Sequence, residues 1–143
     1  MGVVSNEIRK PPEPPYGWDK VVSRIEIVPG LTEALDSLDE FSHIIVLYWM
    51  DRLKPEPQPL KVHPRRDPSF PLVGLFATRA PKRPNPIGKA TVRLLKRERN
   101  VLTVSGLDAL DGTPVIDIKP YLPGYDSAAN ARTPSWVTPH PEG

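Results

Sequence analysis

Apolar and polar positions alternate over residues 21–28. Ile25 and Ile27 fall on one face and Arg24 and Glu26 on the other, the period of a half-buried strand. Pro29-Gly30 ends it. Leu31, Ala34, Leu35 and Leu38 then recur at helical spacing and predict one short amphipathic helix, acidic on its outer side. Residues 43–50 (HIIVLYWM) hold the longest unbroken apolar run and predict a buried strand, with Trp49 in the core. Residues 52–71 carry six prolines between Pro55 and Pro71 and read as a loop. Residues 72–78 (LVGLFAT) predict another apolar strand, and residues 79–88 a proline-pinned loop. Residues 90–95 and 101–107 predict a hairpin closed around Glu98-Arg99-Asn100. After the Asp111-Gly112 turn signal, residues 115–118 predict a short strand. By two-residue alternation, Val115, Asp117, Lys119 and Tyr121 share one face, and Ile116 and Ile118 turn to the core. Five or more strands and one helix predict a mainly β fold, a small barrel or sandwich.

Composition narrows this picture. Twenty of the 143 residues are proline, which disfavours long helices because proline lacks a backbone N–H and clashes with the preceding turn. Residues 10–16 (KPPEPPY) read as extended or polyproline-like. The length fits one domain, placed at residues 1–126 and followed by a polar tail at 127–143. There is no cysteine, which excludes disulfides, zinc-thiolate sites and thiol nucleophiles. No signal-type segment opens the chain and no apolar run approaches a membrane span, so a soluble, cytoplasmic protein is expected.

The net charge is only +2, but it is unevenly placed. Residues 1–60 hold six Lys/Arg against ten Asp/Glu, residues 61–99 eleven against two, and residues 100–143 two against five. A basic middle third between acidic ends points to an anionic partner. The plainer reading is a solvated surface balanced by acidic neighbours in the fold.

Two segments carry candidate chemistry. In residues 76–88 (FATRAPKRPNPIG), Pro81, Pro84 and Pro86 fix three φ angles and restrict each preceding residue. The loop is therefore stiff, and it holds the Asn85 amide beside Arg79, Lys82 and Arg83. Such a loop can offer donors to a nucleotide or phosphate without an ordering cost. In residues 107–123 (LDALDGTPVIDIKPYLP), Asp108, Asp111 and Asp117 precede Lys119 and Tyr121. The plainer readings are a basic β-connection and an Asp–Lys pair beside a turn. Neither EF-hand nor histidine spacing accompanies the aspartates, so no metal is expected. His43 reads as structural, His63 lies in the basic loop and His140 in the tail. No phosphate-binding glycine loop or Rossmann fingerprint is present.

These two segments, with EFSHIIVLYW at 40–49, resemble the TsaA-like family, also called tRNA methyltransferase O. The resemblance implies an unusual β-barrel that binds S-adenosylmethionine without a Rossmann sheet. It implies methylation of N6 of threonylcarbamoyladenosine, beside the anticodon of certain tRNAs, and a homodimer with the cofactor pocket near the subunit interface. Position by position it assigns Arg79 of the ATR motif, Lys89 after PNPIG, and Gly106, Leu107 and Asp108 before DGTP to the cofactor. Asn85 joins them, as do Asp51 and Arg52 after the 40–49 strand. Asp51 stands where the family usually has histidine. The N-terminus starts late, with residues 11–17 in place of a PRQPG-like segment. The chain stops near residue 143, before the extra C-terminal domain of longer bacterial members.

On that reading the proton on N6 is taken by Asp117 or Tyr121, with Lys119 adjusting charge. Asp108 meets the ribose or the amino end of the cofactor. Lys61, Arg65, Arg66, Lys82, Arg83 and Arg93 follow the anticodon-stem phosphates, and Tyr121 and Tyr125 offer rings for splayed bases. Two further readings stay open: a methyltransferase acting on another RNA base or a small molecule, and a non-catalytic module that senses cofactor or RNA.

Overall fold

The computed structural model describes residues 1–10, 17–52 and 59–137. Six strands close into an antiparallel barrel: β1 (Gly2–Ser5), β2 (Val22–Ile27), β7 (Val101–Ser105), β6 (Ile87–Glu98), β3 (His43–Trp49) and β8 (Pro114–Pro120), in that spatial order. A separate two-stranded ribbon joins β4 (Lys61–Val62) to β5 (Val73–Gly74). The mainly β expectation holds, and of its two forms the closed barrel is the one adopted. Closure leaves the six barrel strands without a free edge.

The alternation of β2 is realised: Ser23, Ile25 and Ile27 are buried and the residues between them exposed. The Ile25 and Ile27 side chains pack with Val4, Ile44, Val46, Tyr48, Val92, Leu94, Leu102, Val104 and Val115. β1 was not anticipated. Its four residues pair with β2 on one side and β8 on the other, so this short strand is the seam of the barrel.

Several expectations are corrected. Residues 31–38 form no α-helix; Pro29–Leu35 and Leu38–Glu40 are two 3₁₀ turns, broken where Ser37 adopts φ +69°. Only Leu35 is buried there, with Leu38 half-buried against the core, too narrow a stripe to hold a helix of several turns. Residues 72–78 supply only β5, after which Leu75–Ala77 turn in a 3₁₀ step closed by the Thr78 hydroxyl on the Leu75 carbonyl at 2.7 Å. Residues 52–71 are not all loop, since β4 lies within them. Trp49 is 36% exposed, because it occupies an outward position of β3. On β8, Val115 is buried and Ile116 exposed, the reverse of the expected faces. The cause is a bulge: Leu47 pairs with Asp117 but Tyr48 with Val115, so Ile116 is the extra residue. A four-residue α1 (Pro123–Asp126) follows β8, outside the segment where a helix was expected. The polyproline expectation for residues 10–16 falls mostly on residues 11–16, outside those described, and His140 lies outside them too.

Candidate functional site

The strand registers gather the C-terminal ends of β1, β3 and β7 and the N-terminal ends of β2, β6 and β8 at one rim of the barrel. Residues 106–113 cross this rim. Gly106, at φ +91°, turns the chain out of β7 in a conformation that favours glycine. Leu107 and Ala109 are buried and plug the barrel end, while Asp108 between them is exposed. The Tyr48 hydroxyl lies 2.7 Å from Asp108 Oδ1 and 3.2 Å from the Asp108 carbonyl oxygen. Burial, and then the neighbouring Asp108 charge, push this phenol well above its ordinary value near 10.0. Gly88 is the residue opposite Tyr48 on β6. A Cβ there would fall inside the van der Waals envelope of the Tyr48 ring at Cε2 and Cζ. One contact thus joins three separate sequence segments: Tyr48 from 40–49, Gly88 from 76–88 and Asp108 from 107–123.

Asp111 anchors the far side of the same loop. Its Oδ1 accepts the Asn6 backbone N–H at 2.9 Å, and its Oδ2 is paired with Arg9. The Arg52 guanidinium donates to the Asp111 carbonyl. The Asn6 amide donates to Ser23 Oγ and to the Ala109 carbonyl, each at 2.9 Å. The end of β1, β2 and the rim loop are therefore tied together by one side chain.

The stiff loop braces itself from within. Arg83 Nη1 donates to the Thr78 and Ala80 carbonyls at 2.8 and 3.2 Å, and its guanidinium lies 5.6 Å from the Phe76 ring centre. Lys82 is half-buried and also engaged. Arg79 and Asn85 are exposed. The Met50 N–H donates to the Pro86 carbonyl at 2.8 Å, which fastens the loop's exit to the end of β3.

The remaining candidates lie apart from the rim contact. Lys89 points outward on β6 and is paired across with Leu47, whose other neighbour is Asp117. Lys119 Nζ contacts Asp117 Oδ2 at 2.7 Å on this outer face. That hydrogen bond is the main reason the Asp117 carboxyl sits below its ordinary value. Tyr121 is at the opposite rim: its N–H donates to the His43 carbonyl at 3.1 Å, and the two rings meet edge to face. From Val115 to Tyr121 the strand runs about 20 Å. Lys61 is exposed on β4, and Arg65 and Arg66 are exposed in the turn that follows, both in the left-handed region. Asp51 is exposed just beyond β3, and Tyr125 is exposed on α1. Arg52, Gly106, Leu107 and Asp108 thus share the rim, while Asp117, Lys119 and Lys89 share the outer wall.

Tyr48, Gly88 and Asn6 were not picked out from the sequence. The sequence places Gly88 at the end of the proline-pinned loop; the structure puts it inside β6, which begins at Ile87, and at a strand position a glycine marks close approach by another group.

The sequence pattern of the tRNA-methyltransferase O N-terminal domain matches residues 4–127. An Archaeoglobus fulgidus protein named "Probable S-adenosyl-L-methionine-binding protein" is 45% identical over 134 residues, which are 92% of this chain and 36% of that protein. A second A. fulgidus protein, named "S-adenosyl-L-methionine-binding protein", is 43% identical over 88% of this chain and 89% of its own length. The crystal structure of TrmO from Pseudomonas aeruginosa superposes with a TM-score of 0.74 at 34% identity, over 97% of this chain and 61% of that one. The chain therefore spans about a third of the first relative and less than two thirds of the solved one. Among the described residues, no helix is long and apolar enough to cross a membrane.

Proposed function

The chain belongs to the tRNA-methyltransferase O N-terminal domain family, and from that premise we propose that it is an S-adenosylmethionine-dependent tRNA methyltransferase. Its acceptor is N6 of threonylcarbamoyladenosine at position 37, and it works as a cytoplasmic homodimer. The observation that carries this reading is the meeting of all three family-like segments at the Tyr48–Gly88–Asp108 contact.

The rim suits the cofactor chemically. Asp108 offers a carboxylate to an ammonium group or to ribose hydroxyls. Gly106 has open space where a side chain would be, so its backbone can approach a ligand closely. Arg79, Asn85, Asp51, Arg52, Leu107 and Lys89 complete the set assigned to holding it. When bound, S-adenosylmethionine supplies an electrophilic methyl group on a sulfonium.

The protein contributes position and field. Holding acceptor and donor in line is worth up to ~7–11 kcal/mol in favourable cases. The self-braced loop and the pinned rim are preorganised for that task. Asp117 takes the N6 proton, with Lys119 beside it; Tyr121 lies at the opposite rim and is not placed to share that role within one subunit. With its carboxyl held low by Lys119, Asp117 is a weak base. A weak base suffices if the proton leaves late, after methylation has made N6 acidic. Lys61, Arg65, Arg66, Lys82 and Arg83 contact phosphates, which give affinity and salt sensitivity rather than sequence choice.

Incubation with cofactor and threonylcarbamoylated tRNA, then digestion and nucleoside mass spectrometry, tests this. A methylated nucleoside above the enzyme-free control is expected; its absence ends the tRNA assignment. A second reading keeps the cofactor and changes the acceptor, or drops catalysis. It is favoured by the A. fulgidus relatives, whose names speak of cofactor binding alone. Binding of S-adenosylhomocysteine without tRNA methylation is its signature.

A further inference from the structure

Tyr48 carries a hydroxyl that its place in the core does not require. The ring is 4% exposed and packs among aliphatic side chains. A phenylalanine would fill that space equally well. The hydroxyl instead reaches the rim, and every hydrogen bond recorded for it goes to Asp108, to the carboxylate and to the backbone carbonyl. Gly88 leaves its own side-chain volume to this ring. Among the described residues, Asp108 Oδ2 has no hydrogen-bond partner, and the residue is exposed.

We propose that Tyr48 is a positioning residue of the cofactor site. It acts on the ligand only through Asp108, by fixing Oδ1 and the backbone so that Oδ2 stays presented to an ammonium group or a ribose hydroxyl. This rests on the cofactor reading above. A tyrosine is suited to the task where a lysine or arginine is not. A phenol donates a hydrogen bond without bringing a positive charge, so the carboxylate's attraction for a cationic ligand is not cancelled. Burial keeps the phenol protonated and hence a donor.

The test uses the full chain and S-adenosylhomocysteine as probe. Calorimetric titration compares the wild type, Tyr48→Phe, Asp108→Asn and the double variant. Tyr48→Phe is expected to fold and to weaken binding about tenfold, the effect of losing one hydrogen bond to a charged group. In the Asp108→Asn background, Tyr48→Phe is expected to add nothing further. Equal additional losses in both backgrounds, or unaltered binding in Tyr48→Phe, overturn the proposal and leave the cofactor reading intact. Ultraviolet titration of the tyrosines reads the link without ligand. Asp108→Asn is expected to bring the most resistant phenol to a lower pH, and an unmoved titration also overturns the proposal. Failure of the wild type to bind S-adenosylhomocysteine removes the cofactor reading and this proposal with it.

Discussion

Asp108 and Asp117 sit nine positions apart in the sequence and are held in opposite ways. Asp108 lies on the rim loop between two buried residues and takes its hydrogen bond from a neutral, buried phenol. Asp117 lies on the barrel wall and takes its hydrogen bond from a lysine, in a pair whose side chains are 40% and 59% exposed. The rim carboxylate therefore has a donor without a counter-charge, whereas the wall carboxylate is paired with a cation. The first arrangement keeps an anionic point available to a positively charged ligand; the second lowers basicity and offsets charge. The two also differ in what surrounds them. The phenol that holds Asp108 is locked by the core and by the absence of a side chain at Gly88, whereas Lys119 is a flexible chain in water.

The sharpest way to break this contrast is Tyr48→Ala. Removing a buried ring is expected to destabilise the chain by about 3–5 kcal/mol, read by denaturant unfolding. A loss below about 1 kcal/mol would show that the rim is not tied to the core in this way. Gly88→Ala should follow, at about 1–3 kcal/mol, because the new methyl meets the Tyr48 ring. In the Tyr48→Ala background the same change should cost far less, since the obstacle is gone. Equal costs in both backgrounds would rule out the packing explanation.

Tyr48→Phe is expected to cost about 1–3 kcal/mol near neutral pH, as one hydrogen bond to a charged group is lost. The sign of its pH dependence is set by the raised phenol. The stabilisation from the protonated Tyr48 is fully present below the ordinary value near 10.0 and is lost as pH rises toward the elevated folded one. Unfolding curves for wild type and Tyr48→Phe should therefore converge in alkali; a constant difference would count against it.

Lys119→Met is the smallest effect, within about 0.5 kcal/mol, as expected for an exposed pair. Its signature is instead the Asp117 carboxyl, which NMR titration should find moved up toward its ordinary 3.8. The small stabilisation from this pair is present above that value and lost as pH falls through the depressed one. An unmoved Asp117 midpoint would mean that Lys119 does not hold it in solution.

Much of the wall was legible from local pattern. The faces of β2 follow from two-residue alternation, the 98–100 turn from its turn residues and the β3 strand from an unbroken apolar run, all of which depend on neighbours in the chain. The failures share a cause. Alternation along β8 was misread because the bulge at Ile116 is set by pairing with β3. Trp49 was misplaced because composition reports that a strand is apolar, not which of its residues face outward. The helical spacing at 31–38 described too few buried residues to make a helix. β1 went unseen because four residues carry little pattern until two partners bracket them.

The sequence by itself determined the mainly β character, the stiffness of the proline loop, the uneven charge, and the residues of the family-like segments. Proline geometry, side-chain charge and alternation are local properties, so they are written in the order of residues. Only the tertiary structure decided which carboxylate meets which donor. Tyr48 and Asp108 are sixty positions apart and come within 2.7 Å because barrel closure brings the ends of β3 and β7 to one rim. The same closure sends Tyr121 to the other end. Which groups share a site depends on register and strand order, and these are fixed by packing the whole core rather than by any one segment.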